Sequence, residues 1–387
     1  MKFTKLVNIG SIIIFVLSLS TWIFLATDYS KINKVSVKGV MAEVNSNNPQ
    51  TIKSDNEESI LNSHSVLEQV TISDFNKNKV VTKQETVITP IKKENIGKTY
   101  VRAKAAIAID VNSGKILHSQ NPDKRLPIAS LTKMMTALVT IDNIKNLKDE
   151  IITVDQEVCR TPTSKIGCPS STYCISDTLK LGEKVRADDL LKAMLVNSTN
   201  DAAVALGKHI AGSQENFAKL MNKKAKEIGL KNTHFCNPSG LDKDGQEGQC
   251  YSSARDVAKI SVYALKNEKY KQLWDIFKIK ERWFDSVDGK IKHKYVTTNA
   301  VFDTMKNCVG AKTGFTYEAG KTLMMIASHP KDKNIKVVSV ILNDPYRFND
   351  VQKLFDWIFE NYSWGKITMD NSSELVEKNK LSSGTNL

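Results

Sequence analysis

The chain has 387 residues, enough for one large domain or two ordinary ones, and its 41% hydrophobic and 25% charged content is that of a globular protein. A formal net charge of +13 would suit nucleic acid, yet neither zinc-finger spacing nor an aromatic-basic signature accompanies it. Nucleic acid is therefore set aside as a partner, and the excess charge is read as a basic surface facing anionic lipids or wall polymers.

Residues 7–26 contain no charge, and a helix of that length crosses about 30 Å of hydrocarbon. Lys2 and Lys5 precede it, so 1–6 are expected to stay in the cytoplasm while the rest of the chain is exported. Phe24-Leu25-Ala26 puts a bulky residue where a cleavable signal needs a small one, so an uncleaved anchor in the cytoplasmic membrane is expected. Export gives the six cysteines a reading as disulfides, and the absence of CxxC argues against a zinc ribbon. Cys236 and Cys250 bracket a Gly-rich loop and are the first pair expected; Cys159, Cys168, Cys174 and Cys308 stay unassigned.

Residues 27–100 are polar and lack helical periodicity, which predicts a flexible linker broken only by β-like runs at 79–82 and 87–89. Pattern returns at 101. Residues 105–110, a turn at 111–114 and 115–119 read as a β-hairpin. A helix opens at Ser130, and further helical runs cover 187–196, 200–210 and 217–228. Two apolar runs, 322–328 and 335–343, form a second hairpin, and 351–361 is a closing helix. Strands at both ends of a helical middle predict an α+β domain over 101–366, one antiparallel sheet built from its two termini, and a polar tail at 367–387.

The helix that opens at Ser130 begins Ser130-Leu131-Thr132-Lys133, an SxxK; downstream come Ser198-Thr199-Asn200, an SxN, and Lys312-Thr313-Gly314, a KTG. Each triplet alone is weak: SxxK recurs at Ser328 and Ser363, and SxN at Ser46, Ser54 and Ser119. Only the Ser130 match opens a helix and has both partners after it in order. There the helix terminus favours negative charge, and Lys133 lies one turn on, on the same face. A serine hydroxyl needs an adjacent base, and lysine serves only when burial or a neighbouring cation lowers its pKa. These demands make Ser130, Lys133 and Ser198 the candidate catalytic residues, with Ser198 relaying a proton to the leaving amine. Asn200 would orient Lys133 and the substrate backbone. KTG is predicted to be an edge strand beside the serine, where Lys312 and Thr313 bind a substrate carboxylate and Gly314 allows close approach. The backbone N–H groups of Ser130 and Phe315 would form the oxyanion hole.

The segment Pro127-Ile-Ala-Ser-Leu-Thr-Lys-Met-Met-Thr-Ala-Leu resembles the active-site stretch of D-alanyl-D-alanine carboxypeptidases, the low-molecular-mass penicillin-binding proteins. The resemblance continues from Asp189 through Asn-Ser-Thr-Asn-Asp to Ala203, in Phe235-Cys-Asn-Pro-Ser-Gly-Leu, in Tyr251-Ser-Ser-Ala-Arg-Asp-Val-Ala and in Gly310-Ala-Lys-Thr-Gly-Phe-Thr-Tyr-Glu-Ala-Gly. It implies a penicillin-binding, serine β-lactamase-like transpeptidase fold with an all-helical subdomain, and removal of the terminal D-alanine from peptidoglycan pentapeptide stems. It further implies an acyl-enzyme on Ser130, inhibition by β-lactams, and no metal or organic cofactor. The sequence departs from the pattern at Thr199, where the family typically has glycine, and in the three-cysteine stretch 159–174. Neither the C-terminal β-domain nor the amphipathic membrane helix of many relatives is expected in it.

The rivals are a β-lactamase, a D,D-endopeptidase on the same fold, and a catalytically silent wall-binding protein. Glu215, Glu227 and Glu247 lie between SxN and KTG, but none has the ExxLN context of a class A lactamase glutamate. The intact serines and lysines argue against a silent protein. The six histidines show no ligand spacing, Met324-Met325 reads as sheet, Trp274 and Trp283 read as packing residues, and Arg255-Asp256 as a helix brace.

Overall fold

The structure, a computed structural model, describes residues 69–75, 78–94, 96–97, 99–169, 173–242 and 248–370, all within the unit Ser65–Leu387. The segments 1–6 and 7–26 lie outside the described residues; among the described residues no helix is long and apolar enough to cross a membrane.

Strands β1 (Gln69–Phe75) and β2 (Asn78–Lys92) form a hairpin, followed by β3 (Ala105–Asp110), β4 (Ile116–Gln120) and, after a 3₁₀ turn at Ala129–Leu131, helix α1 (Thr132–Asn143). The short pieces β5 (Ile151–Thr153), α2 (Gln156–Arg160) and β6 (Lys184–Arg186) lead into α3 (Ala187–Val196), α4 (Asn200–Ala211), α5 (Gln214–Ile228), α6 (Ala254–Lys266) and α7 (Gln272–Ile276). A hairpin of β7 (Glu281–Asp285) and β8 (Lys292–Val296) precedes β9 (Cys308–Thr316), β10 (Gly320–Ser328), β11 (Lys336–Leu342), α8 (Arg347–Asn361) and β12 (Tyr362–Asp370). The main sheet is antiparallel, in the order β4-β3-β11-β10-β9, so both ends of the domain meet in one sheet, with β4 and β9 as its two edge strands.

The apolar runs are continuous because the sheet is covered on both faces. Ile107, Ile109, Met324, Ile326, Val338 and Val340 point into a core shared with α1 and α3–α6. The alternate residues Ala106, Ala108, Leu323, Met325, Val337 and Ile341 pack on α8 through Val351, Leu354, Phe355 and Ile358. The adjacent methionines 324 and 325 thus serve opposite cores. Helix α1 is buried from Thr132 through Ile141, which makes it the axis of the helical subdomain and fixes its first turn rigidly.

Two expectations are corrected. Part of the stretch predicted as a flexible linker, 27–100, is strand: β1 and β2 occupy Gln69–Phe75 and Asn78–Lys92. The predicted tail, 367–387, also begins as strand, because β12 runs through Asp370 and pairs along β2 from Tyr362↔Lys92 to Asp370↔Gln84. The physical reason is that β2 finds its partner far away in the chain, and no local pattern announces such a pairing. The sheet β1-β2-β12 is fastened to the β3–β4 hairpin by Trp364 Nε1 to Asp110 Oδ1 (2.8 Å), Tyr362 Oη to the Leu117 carbonyl (3.1 Å) and Lys115 Nζ to the Pro90 carbonyl (2.9 Å).

Two disulfides are formed, Cys236–Cys250 as expected and Cys168–Cys174; Cys159 and Cys308 are free. Trp274 is buried, whereas Trp283 is exposed, with the Lys294 ammonium 5.5 Å from its ring centre. Among the histidines, His293 is structural: buried, it bonds to Glu183 Oε1 (2.6 Å) and the Asp177 carbonyl (2.8 Å), tying the β7–β8 hairpin to the loop between α2 and β6. Arg255 pairs with Asp123 (2.7 Å), and Asp256 accepts the Asn232 N–H (2.6 Å), so this dipeptide braces α6 against the segment leading to Cys236.

Candidate active site

Ser130 lies within the 3₁₀ turn Ala129–Leu131 rather than at the cap of α1, whose first residue is Thr132. The turn is entered through Ala129 at φ +48°, a conformation costly for a residue with a Cβ. Two glycines hold it. A Cβ on Gly314 would lie 2.4 Å from Thr322 Oγ1 and 3.1 Å from the Ser130 nitrogen, so the KTG strand runs directly against the serine. Gly240, at φ +77°, approaches so closely that its Cβ would lie 2.1 Å from the Ala129 carbonyl oxygen and 2.7 Å from Thr132 Oγ1. Gly240→Ala is therefore expected to displace the serine turn and slow any acylation of Ser130 by about 100-fold, the scale of a roughly 1 Å misplacement, with far-ultraviolet circular dichroism unchanged.

The side chain of Lys133 is wholly buried, and its Nζ contacts Ser130 Oγ (2.8 Å), Asn200 Oδ1 (2.7 Å) and the Ser239 carbonyl (2.7 Å). Burial pushes its pKa down to about 7, against the opposing field of Asp201. The Asn200 oxygen and the Ser239 carbonyl accept only. A neutral amine therefore spends its two N–H bonds on them, and its lone pair is left facing the serine hydroxyl. The Asn200 amide is locked in the required sense because its Nδ2 donates to Thr163 Oγ1 (2.9 Å) and the Pro162 carbonyl (3.3 Å).

Ser198, at φ +62° between α3 and α4, faces the same region from the opposite side. Its Oγ accepts from Lys312 Nζ (2.7 Å), which also donates to the Thr313 carbonyl (2.9 Å). Lys312 is buried on the edge strand, and burial, then the charges of Lys133 and Arg347, hold its pKa well below the usual lysine range. Thr313 Oγ1 is 2.8 Å from Thr298 Oγ1. Phe315 pairs with Lys321 of β10, whose carbonyl turns the other way, to the Asp344 N–H (2.8 Å). By the alternation of an antiparallel ladder, the Phe315 N–H faces the open edge. The structure thus brings Ser130, Lys133, Ser198, Asn200, Lys312, Thr313, Gly314 and Phe315 to one cleft between the sheet edge and the helical subdomain.

Thr199 is fully buried, so its larger side chain adds nothing to the cleft surface. The three-cysteine stretch 159–174 supplies Pro162 and Thr163 to Asn200, which makes it part of the site. Sequence reasoning missed Ser239, whose carbonyl holds Lys133; the signal was present in Asn237-Pro238-Ser239-Gly240, where Asn237 Oδ1 accepts the N–H groups of Ser239 (3.1 Å) and Gly240 (2.7 Å). Arg347 was also missed. It donates to the Gly314 carbonyl (2.6 Å) and the Thr322 carbonyl (3.1 Å), bracing the KTG strand from behind, and burial brings its pKa to about 10. No group of three or more His, Cys, Asp or Glu side chains that could hold a metal ion occurs among the described residues.

Comparison with known proteins gives concordant results. Residues 91–346 match the D-alanyl-D-alanine carboxypeptidase family. The D-alanyl-D-alanine carboxypeptidase DacA of Haemophilus influenzae is 35% identical over 287 residues, 72% of this chain and 67% of that protein. DacF of Bacillus subtilis is 34% identical over 284 residues, 73% of this chain and 68% of that protein. Among solved structures, the D-alanyl-D-alanine carboxypeptidase DacD of Francisella tularensis superimposes with a TM-score of 0.59 at 27% identity, over 69% of this chain and 73% of that one. A cleft built on SxxK, SxN and KTG, within a sequence related along most of its folded length, places this chain in the D-alanyl-D-alanine carboxypeptidase family.

Proposed function

We propose that the protein is a serine D-alanyl-D-alanine carboxypeptidase that removes the terminal D-alanine from peptidoglycan stem peptides through an ester on Ser130. The observation that carries this reading is the bonding of Lys133, whose two fixed acceptors leave its lone pair directed at the serine hydroxyl. In the reaction, Ser130 Oγ attacks the penultimate carbonyl as Lys133 takes its proton. The oxyanion lies between the N–H groups of Ser130 and Phe315. The amide C–N bond then breaks as Ser198, bonded to Lys312, hands its proton to the departing D-alanine nitrogen and takes in its place the proton held by Lys133, which returns to the neutral amine. Water then attacks the ester, its proton passes to the neutral Lys133 and from there to Ser130 Oγ as the ester C–O bond breaks, and the shortened stem leaves with a new carboxylate. Lys312 and Thr313 receive the substrate's terminal carboxylate, which favours the charged form of Lys312 that burial disfavours. β-Lactams would acylate the same serine. Residues 7–26, uncharged and preceded by Lys2 and Lys5, support a single membrane anchor with the catalytic domain outside the cytoplasm.

The test is to incubate the purified full-length chain with a fluorescent penicillin and, separately, with a peptide ending in D-Ala-D-Ala. Stable labelling together with released D-alanine is expected. Rapid drug turnover without peptide cleavage would identify a β-lactamase, preferential cleavage of cross-linked dimers an endopeptidase, and absence of both labelling and cleavage would overturn the assignment.

The rate should also depend on pH in a defined direction. Lys133 acts only when neutral, and burial places its midpoint at about 7. The second-order rate of acylation is therefore expected to be low in acid, to rise through a midpoint near that pH, and to level off above it. A stopped-flow profile with its midpoint above 9, where an ordinary lysine titrates, would remove Lys133 from the role of base.

A further inference from the structure

Asp201 follows Asn200 on α4, is buried, and takes no part in the chemistry described above. Its carboxylate accepts the Ile166 N–H with both oxygens (3.0 and 3.2 Å) and the Ala202 N–H (2.8 Å). Ile166 belongs to the loop 161–168, and that loop does three things to the adjacent residues: Thr163 and Pro162 hold the Asn200 amide, Ser164 accepts the Asn200 N–H (2.7 Å), and Ser164 Oγ donates to the Asn197 carbonyl (3.3 Å). The carboxylate is therefore the clasp by which α4 keeps the loop that aims Asn200 at Lys133. We propose that Asp201 is a positioning residue of this site, acting on Lys133 twice: through the loop that orients Asn200, and through the field of its buried carboxylate. The inference rests on the carboxypeptidase reading and adds to it a residue that touches neither substrate nor nucleophile.

The ionisable groups that interact with Asp201 are Lys133 from α1, Lys165 from the loop and Cys159 from α2, and Asp155 and Glu183 act on the same thiol. Burial raises the Asp201 pKa to about 6, against the Ile166 and Ala202 N–H groups and the charge of Lys165, so the group is still mainly ionised where Lys133 changes its charge. Its field is the opposing influence that keeps Lys133 from falling further.

Two substitutions separate the clasp from the charge. Asp201→Asn keeps an oxygen for the Ile166 N–H and removes the charge, whereas Asp201→Ala removes both. The readout is the pH profile of acylation of the full-length chain by a fluorescent penicillin. With Asp201→Asn, the midpoint is expected to move to lower pH by about half a unit or more, because a charge that favours the ammonium form is gone. With Asp201→Ala, the plateau rate is expected to fall about tenfold or more, and Asp201→Asn to recover most of it. An Asp201→Asn midpoint that coincides with wild type would overturn the electrostatic part, and an Asp201→Ala plateau equal to wild type would overturn the clasp. If Asp201→Ala does not fold, Asp201→Asn alone decides through its midpoint. A wild-type chain that takes no label would instead sink the carboxypeptidase reading, so the two failures are distinguishable.

Discussion

Ser130→Ala is expected to abolish covalent labelling by fluorescent penicillin and D-alanine release together, because no other hydroxyl combines the same turn with the same base. Ser198 has a hydroxyl in the cleft, but its partner is Lys312, which donates to it and to the Thr313 carbonyl. The variant should fold normally, since only one oxygen atom is lost at a partly exposed position. Intact-protein mass spectrometry is the decisive measurement: an adduct of the drug's mass on the alanine variant would mean that another residue is the nucleophile.

Lys133→Met retains the serine and the approximate volume of the buried side chain while removing the base. Acylation is expected to slow by about 1,000-fold, within the range for loss of a positioned general base. Stability should move little or rise, because an amine held in a dry interior is disfavoured relative to an apolar chain of similar size. The measurement pairs thermal melting with labelling kinetics. A slow rate alongside an unchanged Tm supports the assignment; a rate within a few-fold of wild type would transfer the role of base to Lys312 or to water.

Much of this site was legible because its chemistry depends on short spacings. Ser130 and Lys133 lie one turn apart on an element whose helical character is plain from its apolar run, and Lys312-Thr313-Gly314 precedes an unmistakable hairpin. The main sheet was legible for a similar reason, its apolar runs at 105–110, 322–328 and 335–343 being too continuous for anything but doubly covered strands. What escaped depends on contacts distant in sequence. Ser239 contributes a carbonyl, which every residue possesses, so side-chain type carries no trace of it. Arg347 lies four residues before the helix expected at 351–361, and nothing local marks it until the fold starts that helix at Arg347 and sets it behind Gly314. Strand β2, with Lys, Gln, Glu and Thr among its valines, resembles solvated chain unless β12 is known to lie beside it.

That pairing has a mechanical consequence. In the register of the small sheet, Gln69 and Asp370 both lie opposite Gln84, on the two flanks of β2 and midway along it. Tension applied at Gln69 or Asp370 would be borne first by the ladders of β2 with β1 and β12 and by the bonds from Trp364 and Tyr362, ahead of the helices that hold the serine. The spacings inside the cleft would stay constant while that small sheet gives way.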